Sequence, residues 1–269
     1  MSQAQAQAQI GVIGGSGFYS FLDGAREVEL TTPYGPPSSP VVIAELAGRA
    51  VAFLARHGTD HRFPPHRVPY QANLWALRSV GVRQILAPCA VGSLRLDRPP
   101  GSVVVPDQLV DRTRGRVQTF YDSGAVHVEF AEPYCPDGRR TVLAVAARRQ
   151  EPAMDGGTMV VIEGPRFSTR AESRWFAAQG WSLVNMTGHP EAVLARELGL
   201  CYTSVALVTD YDAGVEDGDA AVNQAEVFRV FAENIARLRD LLKDAVAALP
   251  SERTCRCAAA VDGQHPPGP

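Results

Sequence analysis

Two acids close a strongly apolar run, Val208-Thr209-Asp210-Tyr211-Asp212-Ala213-Gly214. Side chains alternate along a strand, so Asp210 and Asp212 share one side if the strand continues that far. Paired carboxylates bind a metal, run acid–base chemistry or recognise an amino group; a solvated loop is the plainer alternative. A second group is cationic. In Ala55-Arg56-His57-Gly58, also at a strand end, Arg56 can grip an anion through two parallel hydrogen bonds and His57 can add a third. His57, His61 and His66 offer metal-ligand atoms too, but the glutamate of H-E-x-x-H is missing and an arginine beside the first ligand repels a cation. No metal site is predicted there.

Four further segments leave strands as small or polar turns. Ile13-Gly14-Gly15-Ser16-Gly17 can turn backbone N–H groups and the Ser16 hydroxyl onto an anion; without a third glycine it suits a phosphate-sized ion better than a dinucleotide, and a plain glycine turn stays open. Cys89-Ala90-Val91-Gly92-Ser93 offers backbone N–H groups, or a simple strand-to-loop turn. In Glu163-Gly164-Pro165-Arg166-Phe167-Ser168-Thr169-Arg170-Ala171-Glu172, Ser168 or Thr169 with Glu172 fits a capping box. That leaves Arg166 and Phe167 unexplained, and an aromatic there can stack on a planar ligand. Val184-Asn185-Met186-Thr187-Gly188 sets an apolar face, Met186, beside a hydroxyl, Thr187.

These segments need a sheet to gather them. Short β-branched runs over 10–13, 51–54, 84–87, 103–105, 159–162 and 202–208 predict strands. Helical spacing predicts helices over 70–80, 169–179, 190–198 and 225–248, the last with Phe228, Phe231, Ile235, Leu238 and Leu242 in one stripe. Several strands are apolar on both faces, so helices should cover both sides. Strand-like runs gather ahead of the first helix, which breaks a plain βαβ alternation. The expectation is one α/β domain with a twisted mixed β-sheet flanked by helices.

Composition narrows the function classes. The 269 residues suffice for one large α/β domain or two small ones, and 26 Lys+Arg against 29 Asp+Glu give a net charge of −3 without charged blocks. A general basic surface for nucleic acid is therefore not expected, nor is a membrane span. Lys243 is the sole lysine, which removes the P-loop Gly-Lys-Ser/Thr and any Schiff-base lysine. The stretch 1–9 lacks the marks of a secretory signal, so a cytoplasmic protein is expected. Residues 1–9 and roughly 258–269 have little to bury and read as disordered. Five scattered cysteines, Cys89, Cys135, Cys201, Cys255 and Cys257, read as free thiols. Cys255-Arg256-Cys257 lacks a nearby ligand pair in sequence and makes a poor zinc site on its own.

Taken in order, with Tyr70-Gln71-Ala72-Asn73-Leu74-Trp75-Ala76-Leu77, these segments resemble the trimeric nucleoside phosphorylases over about 10–249. The preceding 1–9 would be an N-terminal tail and 250–269 a C-terminal tail carrying the C-x-C pair. The resemblance implies phosphorolysis, with nucleoside and phosphate giving free base and pentose 1-phosphate. It implies that Ser16, Arg56, His57, the backbone at Cys89 and Ala90, and Thr187 hold phosphate, and that Met186 lies under the ribose. Asp210 would face N7 of the base as the catalytic group, Asp212 would read a 6-amino group, and Ser168 and Phe167 would lie near the base. His127 aligns with a segment that reaches into a neighbouring subunit's 5′ pocket, and Gln224 with the helix start lining that pocket. Thr209-Asp210-Tyr211-Asp212 is the discriminating piece, because 6-oxopurine members typically carry an asparagine there. A 5′-methylthioadenosine-type substrate is thus expected, with other 5′-substituted adenosines, or methylthioinosine and 6-oxopurine nucleosides, as alternatives. No cofactor is expected beyond phosphate as co-substrate, and no partner beyond small molecules and the other subunits of a homotrimer.

Three positions depart from the family pattern. Cys89 replaces a usual threonine, Val222-Asn223-Gln224 is polar for a 5′-pocket wall, and His189 stands where an apolar or aromatic residue is more usual. The resemblance further implies a disulfide role for the C-x-C tail in some archaeal members and for positions 135 and 201 in thermophilic ones. Here both Cys135 and Cys201 are expected reduced.

Overall fold

Apolar β-branched runs from both halves of the chain pair into one sheet of eleven strands, seen in a computed structural model that describes residues 7–14, 25–124, 126–216 and 221–263. The strands are β1 (Ile10–Gly14), β2 (Arg26–Val28), β3 (Val41–Leu46), β4 (Arg49–Ala55), β5 (Gln84–Ser93), β6 (Val103–Val105), β7 (Gln108–Arg112), β8 (Met154–Asp155), β9 (Thr158–Ile162), β10 (Leu183–Asn185) and β11 (Cys201–Tyr211). The helices are α1 (Tyr70–Ser79), α2 (Pro136–Arg148), α3 (Arg170–Ala178), α4 (Gly188–Glu197) and α5 (Gln224–Ala248).

The sheet is mixed, as expected. β1 pairs parallel with β4 and β5, and β5 pairs parallel with β11 along its length. β10 pairs antiparallel with the last residues of β5 and parallel with β9. The carboxyl ends of β1, β4, β5 and β11 therefore share one edge, and the end of β10 meets them there. Ligands of open α/β sheets collect at such edges. Arg56, Cys89, Ala90, Thr187, Asp210 and Asp212 all lie on or just beyond these strand ends.

Helices cover both faces. α1 and α4 bury Leu74, Leu77, Leu194 and Leu198 with Ile13, Leu54 and Ile85 on one side. On the other, α2 and α5 bury Val142, Leu238, Leu242 and Val246 with Val12, Leu86 and Leu207. The stripe of α5 packs on the sheet through Phe231, Leu238 and Leu242, all buried.

Three expectations are corrected. α2 is absent from the predicted helices: Pro136 and Gly138 stand in its first turn, and a Cβ on Gly138 would meet Thr203 Oγ1 at 2.0 Å, so glycine is required for packing. Residues 7–9 are not a loose tail: the Gln7 and Ala8 N–H groups donate to Val80 O, and Ala8 is buried. Residues 250–263 also pack. Thr254 Oγ1 donates to Asp137 Oδ2 at 2.8 Å, Arg253 donates to Gly199 O at 2.7 Å, and Cys257 and Ala260 are buried. Their composition looks poor in apolar material, yet the partners supplied by α2 and α4 complete the burial.

Candidate active site

A cleft of about 200 Å³ opens at the shared strand edge. Ten of the predicted site residues line it: Arg56, His57, Cys89, Ala90, Phe167, Ser168, Met186, Thr187, Asp210 and Asp212. Ser16 lies outside the described residues.

The cationic end is built on a buried ion pair. Arg56 is only 2% exposed, and its Nε donates to both Glu191 oxygens at 2.8 and 2.9 Å. Nη1 donates to Pro88 O and Nη2 to Ile13 O, each at 3.1 Å, leaving one N–H on each terminal nitrogen for an anion. Burial opposes the guanidinium charge, but the adjoining Glu191 carboxylate outweighs it and holds Arg56 charged. Burial likewise pulls Glu191 toward its neutral form while Arg56 pulls it back; the contact geometry is that of an ion pair.

His57 corrects one expectation. Its Nδ1 lies 2.8 Å from Phe63 O, and a carbonyl only accepts, so Nδ1 carries the proton. Burial, then Arg56, pushes its pKa down to about 4. Neutral His57 thus keeps a lone pair on Nε2 and accepts a hydrogen bond, for example from a protonated phosphate oxygen, rather than donating one.

Thr187 is set by Asn185, a residue to which the sequence alone assigns no role. Asn185 Oδ1 accepts from the Thr187 and Gly188 N–H groups at 2.7 and 2.6 Å, and its Nδ2 donates to Ala90 O at 3.2 Å. This clamps the start of α4 to β5. Cys89 is a buried neutral thiol whose pKa is raised by burial, with Sγ 3.5 Å from Ser204 Oγ. Arg116 is a second organiser that no motif marks: Nη1 donates to Met186 O at 2.9 Å and Nη2 to Glu163 O at 2.6 Å, joining the loops after β9 and β10.

The acidic end depends on a β-bulge. The β11–β5 register shifts between Val208 and Asp210, making Thr209 the extra residue and re-aiming the side chains beyond it. Thr209 Oγ1 donates to Asp210 Oδ1 at 2.7 Å, and Ser173 Oγ donates to Asp212 Oδ2 at 2.6 Å. Asp210 thereby keeps its other oxygen for a ligand, while Asp212 is steadied further by the Ala213 N–H. Gly92 makes room, since a Cβ there would stand 3.1 Å from Asp210 Oδ2 and 3.3 Å from Asp212 Cβ. Burial, with Asp212 adding to it, pushes the Asp210 pKa up to about 6, and burial also raises Asp212. Ser168 lies close enough to steady the Asp212 charge, but its buried Oγ makes no well-formed hydrogen bond in the protein. A ligand would satisfy it.

Thr169, not Ser168, caps α3, in a full capping box with Glu172. That frees Ser168 and Phe167 for the cleft, while Arg166 turns outward to pair with Glu172.

One expected lining residue lies elsewhere. Gln224 is exposed one turn short of the cleft; Val227, Phe228 and Phe231 on the same stripe of α5 line it instead, so this wall is apolar. His189 is buried away from the cleft, with Nε2 2.7 Å from Gln118 Oε1 and 3.3 Å from Asp111 Oδ2. His127, expected at a neighbouring subunit's pocket rather than in its own, is exposed on the 113–135 connection.

The sole cluster among the described residues with three or more metal-capable His, Cys, Asp or Glu side chains is Cys135, Cys201, Cys255 and Cys257, at the opposite end of β11 from Asp210. The C-x-C pair therefore does have a ligand pair beside it, supplied by the fold from distant sequence.

Comparisons with known proteins fit this geometry. A family model described as the phosphorylase superfamily matches residues 9–247. The chain is 60% identical to a purine nucleoside phosphorylase of Streptomyces coelicolor, covering 97% of each chain. It is also 60% identical to an S-methyl-5′-thioadenosine phosphorylase of Mycolicibacterium smegmatis, over 91% of this chain and 93% of that one. Among solved structures, methylthioadenosine phosphorylase from Schistosoma mansoni in complex with adenine superposes with a TM-score of 0.86 at 38% identity, over 94% of this chain and 96% of that one.

Proposed function

The chain belongs to the phosphorylase superfamily, and from that membership we propose that it cleaves the N-glycosidic bond of S-methyl-5′-thioadenosine with phosphate, giving adenine and 5-methylthioribose 1-phosphate. The observation that carries this reading is the polarity of the cleft: an arginine-anchored anion site at one end and two partly satisfied aspartates at the other. Phosphorylases of both names are among its relatives, so the relatives' names do not choose the base. The aspartates do. The Asp212 carboxylate at the cleft can accept from a 6-amino group, whereas the oxygen of hypoxanthine would meet it lone pair against lone pair.

Phosphate held by Arg56, Thr187 and the backbone at Cys89 and Ala90 attacks C1′ as the C–N bond breaks, and the bonding pair leaves with the base. Holding the nucleophile in line is worth ~7 kcal/mol or more, and the anion stabilises the cationic sugar. Adenine leaves poorly as an anion, so Asp210, poised near pKa 6 with Oδ1 already engaged by Thr209, delivers a proton toward N7 from its other oxygen. Met186 would lie under the ribose and Phe167 against the base. The apolar wall of Val227, Phe228 and Phe231 suits a methylthio group over a hydroxyl, a preference on the order of 1–3 kcal/mol.

Phosphate is proposed as co-substrate, with no cofactor in the reaction, in a cytoplasmic homotrimer. Support for assembly is that Phe228 lies 46% exposed at the cleft and His127 faces outward, available to another copy. Among the described residues no helix is long and apolar enough to cross a membrane.

The test is product analysis with and without phosphate. Phosphate-dependent release of adenine with stoichiometric pentose 1-phosphate is expected; adenine release that ignores phosphate would mean hydrolysis and overturn the reading.

A further inference from the structure

The fold gathers four cysteines that are remote in sequence. Cys135 is the N-cap of α2, Cys201 begins β11, and Cys255 and Cys257 lie on the C-terminal segment. All four Sγ atoms lie within 4.8 Å of one another, with Cys201 and Cys255 at 3.3 Å, and none is bonded to another. Three of the four are buried and Cys255 is half-buried, so the cluster is screened yet reachable from one side.

From this we propose that Cys135, Cys201, Cys255 and Cys257 bind one zinc ion as a tetrathiolate, locking the C-terminal segment onto the ends of α2 and β11. With Zn–S near 2.3 Å, a tetrahedron of sulfurs has S···S distances of roughly 3.8 Å, and small movements bring the four atoms to it. An all-sulfur tetrahedral donor set suits zinc or iron and disfavours hard ions such as magnesium and calcium; zinc is the redox-inert choice of the two.

The surroundings suit thiolates. The Gly138 N–H at the start of α2 points at Cys135 Sγ from 3.5 Å, where the helix end favours negative charge. Arg196 Nη2 stands 4.0 Å from Cys257 Sγ, held in place by its bonds to Glu129 O and Glu132 O. The C-x-C turn is itself anchored by Thr254 to Asp137 and by Arg253 to Gly199, so the ligands are presented rather than loose. On binding, each thiol releases its proton as its sulfur bonds the metal, which makes occupancy fall at low pH. No redox step is required. Pairing the same sulfurs as disulfides would need an oxidant and two close S–S pairs, whereas one ion uses all four at once.

The experiment uses the full chain, purified without chelator from zinc-supplemented medium and with reductant present. Metal analysis should give ~1 zinc per chain. Titration with a mercurial should release it as the four thiols react, and cobalt exchanged into the site should show the intense visible bands of a tetrahedral tetrathiolate. Cys255→Ser with Cys257→Ser should lose the metal and lower Tm while leaving phosphorolysis rates within about two-fold. The milder Cys257→His should keep the metal with a shifted cobalt spectrum, which guards against a variant that merely fails to fold. A wild-type chain without zinc, with iron in its place, with its four sulfurs found as disulfides, or a double-serine variant that still holds stoichiometric zinc would each overturn the proposal.

Discussion

At the scale of the residue, the chemistry rests on how the protein holds each acid. Asp210 Oδ1 is held by Thr209 and Asp212 Oδ2 by Ser173, and both acids face the cleft. Asp210→Asn preserves shape and a donor toward N7 but cannot transfer a proton. It should lower kcat/KM for the adenine nucleoside by about 10²–10⁴-fold. The same variant should lose the alkaline limb of the pH–rate profile, which in the parent falls at or above about pH 6 as the carboxyl ionises. Initial rates across pH check both. Glu191 acts at one remove. It fixes the plane of Arg56, so Glu191→Gln should raise KM for phosphate more than KM for nucleoside. Breaking such a buried pair also destabilises by about 3–5 kcal/mol when one partner is removed outright, and the isosteric glutamine should lose less. Equal rises in both KM values would show that Glu191 serves folding alone. The aspartates, Arg56 and Thr187 are legible in the sequence because they punctuate strand ends. Glu191, Asn185 and Arg116 are not, because each acts through a partner distant in sequence that no local pattern names.

At the scale of the element, the bulge in β11 and the bare backbone of Gly92 in β5 aim the acidic pair. Gly92→Ala puts a methyl 3.1 Å from Asp210 Oδ2 and 3.3 Å from Asp212 Cβ, so the carboxyls must give by a few tenths of an ångström. A misplacement near 1 Å can cost on the order of 10²-fold in rate. The smaller displacement here should cost less, on the order of 10-fold in activity, while Tm moves little, as kinetics beside a melting curve will read; unchanged kcat/KM would mean the carboxyls tolerate displacement. Period-two alternation correctly foretells the shared side of the two acids but cannot show the bulge, since Thr209 is an ordinary strand residue. Similarly α5 is readable from its stripe, but which turn of the stripe meets the cleft depends on where the helix sits, and it is Val227, Phe228 and Phe231 rather than Gln224. α2 is hidden by a glycine that its contact with Thr203 requires.

At the scale of the whole molecule, two half-buried site groups tilt stability in opposite directions with pH. His57, lowered from 6.5 to about 4, contributes stability that is complete above 6.5 and is lost as pH falls through 4. Asp210, raised from 3.8 to about 6, does the reverse: its contribution is complete below 3.8 and is lost as pH rises through 6. Between about pH 4 and 6 the two slopes offset. Removing one exposes the other, so the stability of Asp210→Asn relative to the parent should rise by up to ~2 kcal/mol across that window. Denaturant titrations at both ends check it, and a flat or falling difference would contradict it. The architecture itself is largely legible, because apolar runs on both faces of the strands demand helices on both sides. The ordered C-terminal segment is not, because its composition says nothing of the Asp137, Arg196 and cysteine partners that receive it.

The most direct measurement compares kcat/KM for 5′-methylthioadenosine and 5′-methylthioinosine, at saturating phosphate, in the parent chain and in Asp210→Asn. The parent should favour the adenine substrate strongly, and the variant should lose that preference through a fall on the adenine side. Equal use of both bases by the parent, or an unchanged ratio in the variant, would contradict the assignment of base recognition and proton delivery to the acidic pair.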